Sequence, residues 1–158
     1  MNPTPYFAIQ FAWFLIAWTA VAVLLVAPLT RRLDREDALA VWMAPQLFRV
    51  LGIGLLVSNL SPEMPRSFAI PTAIGDSLTA VLALTSLIAL RQRWRLSLPI
   101  AWACNLVGAA DLAIALPHAA TIEAARFLSA QWYVPVLGVP LMIVSHVMAF
   151  RVLLRHPR

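Results

Sequence analysis

The chain contains no lysine, one cysteine, five glycines and only seven acidic residues among 158. A single cysteine, Cys104, excludes an intrachain disulfide and any cysteine-based metal cluster. Its place in an apolar run reads as a small packing residue at a helix contact. Gly-x-Ser-x-Gly, His-Glu-x-x-His, the P-loop and the Rossmann glycine pattern are all missing, so no nucleophile, metal or cofactor is marked. Arginine supplies all twelve basic residues and a formal net charge of +5. These arginines form no basic stripe interleaved with aromatics, which argues against a nucleic-acid partner.

What the chain has in abundance is apolar sequence. It is 61% hydrophobic and 12% charged, with a mean hydropathy of +0.81. Soluble domains of this size are nearer half apolar, so the composition is that of a membrane protein with the lipid bilayer as its main partner. Five apolar runs are long enough to cross a bilayer, at about 6–27, 38–60, 68–90, 96–116 and 131–154. The expected fold is therefore all-α, a single domain of five transmembrane helices. The first run is longer than a signal-peptide core and has no basic residue before it, so it reads as a retained helix.

Connections between the runs carry the charge. Arg31, Arg32 and Arg35 follow the first span, Arg91, Arg93 and Arg95 the third, and Arg151, Arg155 and Arg158 close the fifth. The opposite ends hold only Arg66 and Arg126. Nine against two is a positive-inside bias, predicting an outside N-terminus and a cytoplasmic C-terminus, in a bacterial inner membrane. Asp34, Glu36 and Asp37 suit the start of the second helix by capping and dipole. Pro135, Gly138 and Pro140 predict a kink or broken first turn in the fifth. The long connection from Pro117 to Ala130 could hold a short surface helix after Thr121.

Polar residues inside the spans are few, and these few define the candidate site. At ~1.5 Å per residue, Arg49 lies roughly 17 Å along the second span, Asp76 roughly 11 Å and Asp111 roughly 8 Å from the outer ends of the third and fourth, with Asn105 near mid-depth. Each ionised group at such depth costs on the order of 2.5–3.5 kcal/mol unless compensated, so these side chains are expected to face inward and meet. The planar fork of Arg49 can bridge both carboxylates, leaving a set of formal charge −1 that a proton or a cation would neutralise. Arg49, Gly52, Leu56 and Asn59 fall on one stripe of an α-helix, and Asn105 and Asp111 flank Gly108. His146, two turns from the cytoplasmic end of the fifth span, is read as far in depth from the acidic set. It is a packing histidine or a proton relay, and neither His118 nor His156 stands where a second haem ligand would.

Three stretches together, Phe48-Arg-Val-Leu-Gly52, Phe68-Ala-Ile-Pro-Thr-Ala-Ile-Gly-Asp76 and Asn105-Leu-Val-Gly-Ala-Ala-Asp-Leu112, resemble a group of small bacterial multi-pass membrane proteins. In that group a Pro-Ala-Gly-x-Gly-Asp type stretch follows an Arg-bearing helix; here Thr72-Ala73 replaces Ala-Gly. The resemblance implies a multi-pass architecture and no particular activity.

Two functional expectations follow. In one, the chain binds or moves a small molecule, ion or proton at Arg49, Asp76, Asn105 and Asp111, with His146 as a further candidate. Transport by so short a chain would call for a homodimer or a membrane partner, with Gly52 and Gly108 as points of close approach. In the other, it is a non-catalytic accessory protein whose ion pairs only fix helix packing. A lipid- or quinone-linked enzyme subunit is a third reading. The first requires a cavity reaching Asp76, the second a dry and fully paired cluster.

Overall fold

The computed structural model describes residues 2–155; His156 and Arg158 lie outside the described residues. The protein is all-α. Among the described residues, five helices are long and apolar enough to cross a membrane: α1 (Thr4–Thr30), α2 (Arg35–Leu56), α3 (Arg66–Arg91), α4 (Ser97–Thr121) and α5 (Ser129–Leu153). α3 packs along both α2 and α4, while α5 packs on α1, α2 and α4. α1 is the peripheral member: no residue of Thr4–Val21 is buried.

Local chemistry explains where the helices start and bend. Asp34 caps α2, its side chain accepting from the Asp37 amide at 2.9 Å. That satisfies one of the donors left open in the first helical turn. In α1 a π-helical turn over Ala22–Val26 ends two residues before Pro28, whose ring nitrogen has nothing to donate. The proline-rich start of α5 is likewise irregular, with a 3₁₀ turn over Ser129–Gln131 and a π turn over Val134–Gly138 before the regular helix Val139–Leu153.

The largest departure from the expected geometry is in α2. Beyond Met43 it winds as a 3₁₀-helix for thirteen residues, Ala44–Leu56, far longer than the usual single turn. At about 2.0 Å per residue this segment covers about 26 Å, against about 20 Å for an α-helix of the same length. Side chains three apart eclipse one another in this winding, and its buried residues are Gln46, Arg49 and Gly52. The stripe through Leu56 and Asn59 is not formed. The helix ends at Leu56, and both residues are exposed.

Helix α4 also differs from expectation, continuing through Pro117 to Thr121. His118 therefore sits on a helix, edge-on to Phe68 with ring centroids 5.4 Å apart. The connection that follows holds a 3₁₀ turn at Ala124–Phe127 in place of a surface α-helix.

Two apolar clusters frame the interior. One, toward the Arg-rich end, gathers Leu39, Met43, Ala83, Leu90, Ala101, Met148 and their neighbours. The other, at the opposite end, gathers Met64, Phe68, Ala69, Ala124 and Leu128. Along α2, α3 and α4 the buried polar residues Gln46, Arg49, Thr79 and Asn105 lie between these clusters.

Candidate functional site

Arg49 stands on the buried edge of the 3₁₀ segment and uses all three nitrogens of its guanidinium. Nε donates to Asp76 Oδ1 at 2.7 Å, Nη1 to the Gly108 carbonyl at 2.9 Å, and Nη2 to Asp111 Oδ2. One cation thus ties α2 to α3 and twice to α4. In an apolar interior such pairing is what makes the charges tolerable, since a lone buried charge costs several kcal/mol.

Glycines make room for this set. A Cβ on Gly52 would collide with the Asp76 carboxylate, and one on Gly75 with that of Asp111. At Gly108 a Cβ would stand 2.6 Å from His146 Cε1, 2.7 Å from its Nε2 and 2.7 Å from Thr79 Cγ2. Gly54 likewise seats the side chain of Gln131, whose amide donates to the Leu51 carbonyl at 3.2 Å. Gly52 and Gly108, expected as contact points for a second copy, are both buried and receive polar side chains of their own chain.

Asn105 does not join Arg49. Its Oδ1 lies 2.6 Å from His146 Nδ1, and its Nδ2 donates to the His146 carbonyl at 3.2 Å. His146 is correspondingly closer to the charged set than the count along its helix suggests. Its ring lies over Gly108, the residue whose carbonyl accepts from Arg49. Residue counts measure distance along each helix, and tilted helices that end at different levels do not share one depth scale. His146 is 3% exposed, and among the described residues its Nε2 has no hydrogen-bond partner. A second polar contact, Gln46 Nε2 to Ser145 Oγ at 2.5 Å, links α2 to α5 nearby.

A cavity of about 430 Å³ reaches the charged set. Arg49, Asp76 and Asp111 line one part of it; Phe7 and Phe11 of α1, Leu55 of α2, and Leu112, Ala115 and Leu116 of α4 line the rest with apolar surface. Both carboxylates keep some surface open, 16% for the Asp76 side chain and 17% for Asp111, whereas Arg49 keeps 2%. Phe7, Phe11 and Gln131 were not among the residues singled out from the sequence. In the first apolar run nothing distinguishes the two phenylalanines. Gln131 did carry a signal: an amide at the head of a proline-rich span needs a partner.

No curated protein and no solved structure matches the chain. A family model described as a domain of unknown function, DUF8737, matches residues 6–154. That range includes the charged set, the glycines that seat it and nearly all of the cavity lining. On this match the chain belongs to the DUF8737 family.

Proposed function

We propose that this chain is a multi-pass protein of a bacterial inner membrane that binds a small molecule, ion or proton in the cavity ending at Arg49, Asp76 and Asp111. Arg49 is the charge clamp that holds both carboxylates in place, and the carboxylates are the groups presented to the ligand. The carrying observation is the cavity itself: about 430 Å³ of space reaches the charged set, within the range of small-molecule sites. Nine arginines on one side against two on the other support a cytoplasmic C-terminus, which puts the cavity in the outer half of the bilayer.

A second reading, an accessory protein with structural ion pairs, draws support from the near-complete covering of Arg49 and its three bonds. The two readings part at the cavity. Native mass spectrometry of protein released from its own membranes is the test, with Ala115→Phe as the variant that fills the apolar part of the space. A small molecule retained by the wild type and lost from the variant is the expected result. A wild type that carries nothing, or a variant that carries the same mass, favours the structural reading.

A further inference from the structure

The chemistry of the ligand can be narrowed from the balance of charge and exposure around the cavity, given the binding function proposed above. Among the described residues, the charged ones lining it are Arg49, Asp76, Asp111 and Glu123. Glu123 forms an ion pair with Arg126, which leaves the three intramembrane groups to set the charge. One guanidinium against two carboxylates gives −1 when all are ionised. All three border the space, but the positive member is the most covered, with 2% of its side chain open against 16% and 17% for the two negative members. An anion entering the cavity would therefore meet carboxylate oxygens before it met Arg49. A neutral molecule would leave an uncompensated charge in a largely apolar enclosure, which is costly.

We infer that the site takes a monovalent organic cation with an apolar body, of the alkylamine or alkylammonium kind. The cationic head lies between Asp76 and Asp111, completing a neutral set of two positive and two negative charges. The apolar body lies along Phe7, Phe11, Leu55, Leu112 and Leu116. The geometry makes the two carboxylates a pair although they stand on different helices: both bond the same guanidinium, Asp76 through Nε and Asp111 through Nη2. The bare backbone at Gly52 and Gly75 leaves room for each carboxylate to sit beside Arg49.

Three probes of matched length separate charge from apolar burial: octylammonium, octanol and octanoate, each titrated into the protein in nanodiscs, with empty nanodiscs subtracted. Octylammonium is expected to bind at least about tenfold more tightly than octanol, with octanoate weakest, because only the cation gains from the net negative charge. Asp76→Asn and Asp111→Asn each leave Arg49 with one carboxylate, a neutral set, and should remove the preference for the cation while octanol binding persists. Ala115→Phe should weaken all three probes.

Equal binding of octylammonium and octanol by the wild type overturns the cation assignment and leaves the cavity-binding reading standing. So does a preference that survives in both asparagine variants. If no probe binds the wild type above the nanodisc blank, the cation assignment and the binding reading fall together. The wild-type ranking decides the matter even if one asparagine variant does not fold.

Discussion

Arg49 and Arg93 each gather acidic side chains from neighbouring segments, yet they live in opposite surroundings. Arg93 follows α3 and reaches Asp34 at 2.6 Å, Glu36 at 2.6 Å and Asp37 at 3.1 Å, with Arg91 adding a second bond to Asp37 at 3.0 Å. Its side chain is 46% exposed, against 2% for Arg49. In water, screening and side-chain entropy remove most of the gain from such contacts. Inside an apolar bundle the same contacts decide whether the charges can be there at all. Arg93 also takes a left-handed backbone, φ 55°, at the turn that closes α3, a position where glycine is usual. The outer network thus ties the turn after α3 to the start of α2 at some backbone cost, while the inner one joins three helices and borders a cavity.

Mutations that separate the two networks rank by burial. Arg49→Gln leaves two part-buried intramembrane carboxylates without their cation and should cost about 3–5 kcal/mol, read as a large fall in thermal stability in detergent. Gly75→Ala forces a methyl into the Asp111 carboxylate and should cost about 1–3 kcal/mol. Asp76→Asn keeps the shape and leaves Arg49 paired with Asp111, so the loss should be nearer about 1 kcal/mol. Arg93→Gly loses the outer ion pairs but relaxes the left-handed turn. It should move the melting temperature least of the four, and the residual difference should shrink further in high salt. An Arg93→Gly effect as large as that of Arg49→Gln would dissolve the contrast.

The smallest expected effect is a pH dependence confined to the outer network. The Arg93 guanidinium, followed by the Asp37 amide, holds the Asp34 carboxyl below its ordinary value of 3.8. A carboxylate whose value is depressed by folding contributes stability that is complete above 3.8 and is lost as the pH falls below it toward the lowered folded value. Because Asp34 is exposed, solvent screening keeps this contribution small. Comparing melts of wild type and Asp34→Asn from neutral pH downward should show the two curves converging below that point.

Much of this architecture was legible in the residues. The five apolar runs predict five helices because hydropathy and length are properties of contiguous sequence. Likewise, the cost of isolated charge in hydrocarbon forces Arg49, Asp76 and Asp111 to be read as one set. The winding of α2 was not legible, since residues three apart share a face in both α- and 3₁₀-helices, and Gln46, Arg49 and Gly52 fit either. His146 was misplaced in depth because counting residues gives distance along its own helix only. Gly52 and Gly108 read as surfaces for a second copy, since a missing Cβ announces close approach without saying what approaches. The cavity depends on how the peripheral α1 stands off α4, which no single stretch of sequence encodes.

Ligand binding requires the inner charged set to border an accessible space, and cysteine modification tests that most directly. In a Cys104→Ala background, Thr72→Cys puts a thiol on the cavity wall, while Ser86→Cys puts one in the sealed interior. A small methanethiosulfonate reagent applied to the protein in nanodiscs should modify the cysteine at position 72 and leave the one at 86 untouched, with octylammonium slowing the reaction at 72. Two cysteines equally resistant to the reagent would mean that Arg49, Asp76 and Asp111 form a dry structural bridge, and the binding account would be wrong.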